Sequence, residues 1–384
     1  MLDIRYINVK MSRKSLPDLI IAIDFGGSAT KILASTSTDV YALCMEPEVI
    51  EVDKQLLDDY ESTKLGQADE KNRAWVGYDN LYYAVGYLAQ YKFAGTPGLS
   101  ELKYERAIPK ALAAVWVAAR HFSLGRKFNV AIACVLPPGE YADAASVETL
   151  LREALASYET PTGQLALRLT HFNCKPEGGA TYMMIAKNQR DELLQKVVAV
   201  IMVGYRNASI LISNRGEVGS FLSSDLGFIQ LVSAVMQKTS GQTAELLTPS
   251  IFEAGEKLES KPLFRLIRST NEQRQSEELE QIRKAVASSR KEYFLKLSNW
   301  MKEHLPREVD EVVLCGGTVD YLATEFKSHF QWTPIQWHGG VTVPTELDEL
   351  GFGNRLVDVY CLFVYFRKSV LKMSDLTETA LSIS

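Results

Sequence analysis

The residues best suited to chemistry lie in Ile21-Ala22-Ile23-Asp24-Phe25-Gly26-Gly27-Ser28-Ala29-Thr30-Lys31-Ile32-Leu33. An apolar run ends in an acid, and two glycines, a hydroxyl and a lysine follow closely. Gly26 and Gly27 have no Cβ, so an anion can approach the backbone N–H groups. Ser28 adds a hydroxyl donor and Lys31 a mobile cation for phosphate oxygens. Asp24, at the end of its strand, is placed to hold a hydrated divalent cation. The chemistry on offer is the binding of a metal-bound phosphate. The plainer alternative is a Gly-Gly hairpin with chance flanking charges.

Two later stretches share this grammar. Val197 to Val203 and Ser209 to Ser213 flank Gly204-Tyr205-Arg206-Asn207, a second strand–turn–strand that echoes the first. Val312-Val313-Leu314-Cys315-Gly316-Gly317-Thr318 is a buried strand running into a glycine turn. Ahead of both, Glu177 in Pro176-Glu177-Gly178-Gly179-Ala180 is either an exposed loop carboxylate or a group that orients a water. Arg206 and Asn207 are either turn residues in solvent or phosphate donors. Neither Gly-x-x-x-x-Gly-Lys-[Ser/Thr] nor a strand followed by Gly-x-Gly-x-x-Gly occurs.

The elements that must position these groups follow from periodicity. Leu19 to Ile23 and Ile32-Leu33 read as strands, and Asp39 to Val52 as further strand. Lys54 to Asn72 is charged and reads as loop. Trp75-Val76-Gly77 and Tyr82 to Gly86 form a short hairpin. Leu112, Val115, Trp116 and Ala119 place one apolar stripe on a helix over Tyr104 to His121. Phe128 to Leu136 and Leu165 to Asn173 are strands, with a helix over Ser146 to Ser157 between them. A helix over Ala180 to Gln195 leaves the first half. Leu226 to Lys238 and Ile251 to His304 are helical, and the charges of Glu277 to Lys284 mark a solvated face. A helix over Val319 to Lys327 and a last one over Asn354 to Arg367 complete the order. The tail from Lys368 is polar, and residues 1–18 read as a disordered segment or an added edge strand.

A chain of 384 residues is long for one core, so two domains are expected. The formal net charge of −5 gives no general reason for direct contact with nucleic acid. Cys44, Cys134, Cys174, Cys315 and Cys361 form no Cys-x-x-Cys pair and read as small buried hydrophobes in a reducing compartment. The five histidines show no metal-binding spacing, and His338 sits in a loop. No signal peptide and no membrane span are read, so a cytoplasmic protein is expected.

The pattern Asp24 to Lys31 resembles the phosphate-1 loop of the superfamily that joins actin, the heat-shock chaperone ATPases and the sugar kinases. Gly204 lies where that superfamily has phosphate-2, and Gly316-Gly317-Thr318 matches its adenosine motif. Glu349-Leu350-Gly351-Phe352-Gly353-Asn354 resembles the connect-2 region. Within the superfamily, the bacterial plasmid-segregation actins (ParM/StbA type) are most similar, over about residues 19 to 367.

The resemblance implies an α/β fold of two duplicated ribonuclease-H-like domains with a nucleotide cleft between them. Residues 1–185 with 346–384 would form one domain and 186–345 the other. It implies ATP or GTP with Mg²⁺: Asp24 would hold the metal through water, and Gly26, Gly27, Ser28 and Lys31 would cradle phosphates. Gly204, Arg206, Asn207, Gly316, Gly317 and Thr318 would complete the nucleotide site. Glu177 would orient the attacking water for hydrolysis. Self-association into head-to-tail filaments is implied, serving plasmid DNA segregation through a ParR-type adaptor or a cell-shape cytoskeleton.

One departure stands out. The family's second loop begins with an aspartate, and here the place is taken by Met202, which cannot hold metal-bound water. Tyr205 also replaces a glycine. Slow hydrolysis, or a nucleotide-binding scaffold without turnover, therefore stays open beside an ATPase. A small-molecule kinase of the same superfamily is the rival from another class; it would need a catalytic aspartate facing an acceptor pocket.

Overall fold

In the computed structural model, residues 16–66, 68–348 and 351–381 are described, apart from the side chains of Ser220 and 373–381. Two runs of five strands are built on one plan. The first uses β1 (Leu19–Phe25), β2 (Thr30–Ser35), β3 (Val40–Met45), β7 (Lys127–Leu136) and β9 (Gly163–Pro176), in the order β3-β2-β1-β7-β9. The second uses β10 (Val197–Val203), β11 (Ala208–Asn214), β12 (Glu217–Ser224), β13 (Glu311–Cys315) and β14 (Ile335–Trp337), in the order β12-β11-β10-β13-β14. In both, a three-strand antiparallel meander is followed by two parallel strands. The first sheet extends beyond β9 through β8 (Tyr158–Thr160), β5 (Trp75–Tyr78), β6 (Leu81–Val85) and β4 (Val49–Val52), giving nine strands.

The central strand β1 is apolar on both faces because both faces are covered, the usual reading of a parallel-sheet strand. Ile21 and Ile23 join a core with Leu112, Val115 and Trp116 of the helix Lys103–His121. Ile20 and Ala22 on the other face meet Leu362 and Phe363 of the last helix, Val357–Leu381. That helix thus returns the end of the chain to the first sheet. The second sheet is covered on one face by the helices Phe228–Lys238, Ala244–Ala254 and Glu272–His304, which share a core with Ile201, Val203 and Leu314. The connecting helix Gly179–Asn188 packs on its other face through Tyr182 and Ile185.

Four local expectations are corrected. Lys54 to Asn72 contains a helix, Lys54–Thr63, started by Asp53, whose carboxylate accepts from Gln55 N at 2.8 Å. Its buried contact is Leu57, too narrow an apolar face to stand out among charges. The strands β12 and β14 have no apolar run long enough to announce them. The segment after Thr318 is two helices, Gly317–Tyr321 and Ala323–His329, broken at Leu322. The last helix starts later and runs further than Asn354 to Arg367, taking in the polar segment as far as Leu381. The reading of residues 1–15 and of Glu349 and Leu350 lies outside the described residues. The five cysteines carry no disulfide, and among the described residues no helix is long and apolar enough to cross a membrane.

Candidate functional site

The two glycine hairpins are equivalent in register. Phe25↔Thr30 closes the first around residues 26–29, and Val203↔Ala208 closes the second around 204–207. One step back along each ladder, Asp24 pairs with Lys31 and Met202 pairs with Ser209. Met202 is therefore the positional counterpart of Asp24, and Ser209 that of Lys31. The tips of the hairpins meet: a Cβ on Gly27 would lie 3.0 Å from Leu99 Cδ2 and 3.2 Å from Arg206 Cβ. Gly26 is needed within its own turn, where a Cβ would lie 2.5 Å from the Ala29 carbonyl.

The second loop also caps a helix. The carbonyls of Gly204, Tyr205 and Arg206 accept from the N–H groups of Phe228, Ile229 and Gly227 at 3.0, 2.9 and 3.2 Å. The first N–H groups of the helix Phe228–Lys238 thus already have protein partners, which removes them as an anion site.

The third motif joins the same place. Gly316 has φ +96°, and a Cβ there would lie 2.4 Å from the Val203 carbonyl, so only glycine suits this strand end. Thr318 Oγ1 donates to the Gly204 carbonyl at 2.9 Å. Gly317 packs under Arg355, whose Cγ would lie 2.9 Å from an added Cβ. Arg355 Nη2 then donates to Ser28 Oγ at 3.0 Å. A residue just before the last helix thereby spans the first and third motifs.

A buried set of charges lies beneath the loops. Lys103 Nζ donates to Glu177 Oε1 and stands 3.9 Å from Asp24 Oδ1. Lys31 Nζ holds the other Asp24 oxygen at 2.6 Å. Glu177 Oε2 accepts from Asn207 Nδ2 at 3.0 Å and from Ser209 Oγ at 3.3 Å. Glu140 bonds Arg206 Nη2 at 3.2 Å and accepts from Lys103 N at 2.5 Å, capping the start of the helix Lys103–His121. Burial works against ionisation of Asp24, but Lys31 and Lys103 outweigh it and hold its carboxyl below the usual range. Burial likewise opposes the charge on Lys103, while Glu177 and Asp24 keep the ammonium above the usual lysine value.

Every sequence-predicted site residue falls in or beside this assembly: Asp24, Gly26, Gly27, Ser28, Lys31, Glu177, Gly204, Arg206, Asn207, Gly316, Gly317 and Thr318. Sequence reasoning missed Lys103, Lys110, Glu140, Ser209, Arg355 and Asp358. The available signal was Lys103, Arg106 and Lys110 at i, i+3 and i+7 on a helix otherwise rich in alanine. Asp358 ties the last helix to the connecting helix, accepting from Gly178 N at 3.0 Å and from Thr181 N and Oγ1 at 3.1 and 2.9 Å. His338, read as a loop residue, is buried against Asp320 with Nε2 2.7 Å from Oδ1.

Two ligand classes can be tested against these donors. A polyphosphate fits: the Arg355 guanidinium, on Ser28 Oγ, has no carboxylate within ion-pairing distance among the described residues, and the buried Thr30 Oγ1 has no hydrogen-bond partner. A divalent cation does not fit. The oxygens of Asp24 and Glu177 already face Lys31, Lys103, Asn207 and Ser209, and Met202 offers no oxygen. Among the described residues, no three His, Cys, Asp or Glu side chains form a group that could hold a metal ion. The Asp24 oxygens, where a water-mediated Mg²⁺ is expected, face the ammonium groups of Lys31 and Lys103.

No protein-family model and no curated protein matches the sequence. Solved structures do match, over almost their whole length. A ParM filament from Clostridium botulinum matches with TM-score 0.61 at 12% identity, covering 92% of this chain and all (100%) of that one. The chain has the actin-like fold. An archaeal actin homologue matches with TM-score 0.58 at 15% identity, covering 91% and 99%. Apo pSK41 ParM matches with TM-score 0.55 at 13% identity, covering 92% and 98%. In this actin-like fold the paired five-strand runs are the duplicated halves, and the three glycine turns meet where the halves face each other.

Proposed function

We propose that this chain is a filament-forming actin homologue that binds ATP between its two halves, residues 1–185 with 346–384 and residues 186–345. The observation that carries the reading is the meeting of three glycine-ended turns from both halves. Gly27 touches Arg206, Thr318 bonds Gly204, and Arg355 spans Gly317 and Ser28. A nucleotide there would contact both halves, so its binding would bias their closure and with it head-to-tail contact. Two matching structures, the C. botulinum ParM and Alp12, are described as filaments, which supports self-association.

On this reading Arg206, Asn207 and Lys31 face the phosphates, and Glu177 is the group that would orient water. Both Glu177 oxygens are already engaged, by Lys103 on one side and by Asn207 and Ser209 on the other. A carboxylate held in this way accepts a proton poorly until a partner lets go. Turnover is therefore slow, and the polymer is long-lived compared with one that hydrolyses quickly. Such a filament suits a cytoplasmic scaffold or a DNA-segregation apparatus. In the second case a small basic adaptor of the ParR type would make the DNA contact, since the chain carries a net charge of −5. Electron microscopy of the purified chain with ATP, GTP and a non-hydrolysable ATP analogue tests the proposal. Filaments that require nucleotide support it, and monodisperse particles under all three conditions overturn it.

A further inference from the structure

The position of Lys103 carries the argument beyond a general nucleotide site. Its side chain is 7% exposed, and the carboxylates it faces are almost equally sequestered, Asp24 at 5% and Glu177 at 7%. Two buried acids close together repel each other and cost several kcal/mol each unless a cation is shared between them. In phosphate-transfer sites a divalent ion commonly does this, and Asp24 is the residue expected to hold one through water, beside the water that Glu177 would orient. Here the shared cation is an ammonium built into the chain, bonded to Glu177 and 3.9 Å from Asp24. The start of its helix is fixed by Glu140, which accepts from Lys103 N and also holds Arg206 of the opposite loop. Lys103 is thus anchored to both halves of the molecule. The acid that would complete a metal site is absent, because Met202 fills the place equivalent to Asp24. A cation for the phosphates themselves comes from Arg355, on Ser28.

We propose that Lys103 stands in for the divalent cation, so that the site takes a nucleoside polyphosphate free of metal. The proposal rests on the nucleotide reading above and adds to it the chemical form of the ligand. Lys103 is a positioning residue in this scheme: it holds Asp24 and Glu177, and Arg355 meets the phosphate charge.

The test is the affinity of full-length protein for a fluorescent ATP analogue, measured in excess Mg²⁺ and in EDTA, for wild type, Lys103→Met and Lys103→Arg. Wild type is expected to bind with the same affinity in both conditions, within about threefold. Lys103→Arg should behave like wild type. Lys103→Met should lose about tenfold or more in EDTA and recover in Mg²⁺, because the freed carboxylates can then take the metal. Wild-type binding that weakens about tenfold or more in EDTA overturns the inference while leaving the nucleotide reading intact. An absence of binding in both conditions overturns both. The wild-type comparison decides the matter even if Lys103→Met does not fold. An independent readout uses Mn²⁺ as a spin probe on nucleotide-free protein: the wild-type chain should leave it free, and stoichiometric uptake contradicts the proposal.

Discussion

Met202 stands in the second hairpin where Asp24 stands in the first, each one ladder step before the closing pair of its turn. The pseudo-repeat therefore keeps its backbone and loses one carboxylate. Asp24 faces Lys31 and Lys103, whereas Met202 packs with Tyr182 and Val200 beside the connecting helix. Restoring the acid tests what its loss has done. Met202→Asp should make nucleotide affinity depend on Mg²⁺ by about tenfold, read as the ratio of affinities with and without EDTA. A ratio unchanged from wild type would show that position 202 has no bearing on the metal.

Lys110 should give a pH signature. Burial, then Lys103 and Arg106, pull its proton affinity down to about 7, and Glu48 and Asp24 oppose this only partly. Between about pH 7 and the ordinary lysine value near 10.4, the unfolded chain binds the proton more tightly than the folded one. Stability contributed through this residue therefore rises with pH across that window. Lys110→Met should flatten the rise in urea-denaturation midpoints between neutral and alkaline pH and stabilise the protein at pH 7 by about 2 kcal/mol. An unchanged slope would contradict the assignment.

Asp358 works in the acid range with the opposite sign. Burial raises its carboxyl to about 6 despite the bonds from Gly178 and Thr181. Between about pH 4 and 6 the folded chain holds this proton better than the unfolded one, so the contribution falls as pH rises. Asp24, held low, contributes stability that is lost only below its ordinary range. Comparing wild type with Asp358→Asn by thermal melts across pH 4 to 6 isolates the first effect: the variant should lose the decline. A decline of equal slope in both would rule the group out.

The glycines can be ranked by what surrounds them. Gly316→Ala combines positive φ with a Cβ 2.4 Å from a backbone carbonyl, and should cost about 3 kcal/mol or more. Gly255→Ala has φ +59° and ψ −159°, also a conformation glycine favours, but nothing within 4 Å, and should cost less, about 2 kcal/mol. Equal losses in chemical denaturation would mean that backbone conformation alone, and not the contact with Val203, sets the requirement at Gly316.

The parts legible in the sequence were those written in contiguous residues. The hairpin at Asp24 to Lys31, the echo around Gly204 and the strand into Gly316 each join apolar runs to glycine turns, and local pattern is sufficient to find them. The strand β12 was not legible, because Glu217 to Ser224 lacks an apolar face and owes its strand state to pairing with β11. Lys103 and Arg355 were not legible for a different reason. A lysine at a helix start and an arginine in a 3₁₀ turn look like solvent charges until the fold buries them. Their partners are far along the chain: Lys103 meets Glu177, and Arg355 meets Ser28. Sequence pattern locates elements well, but it does not say which distant charges share a cavity.

The most direct test of the account is sedimentation coupled to phosphate release, with ATP in Mg²⁺, ATP in EDTA and no nucleotide, on wild type and Glu177→Ala. The account predicts that wild type pellets with ATP in both conditions and not without nucleotide. Phosphate release should be slow and should fall further in Glu177→Ala, while pelleting persists. Steady ATP consumption that depends on a small-molecule acceptor, with no polymer in any pellet, would contradict it and identify a kinase built on the same fold.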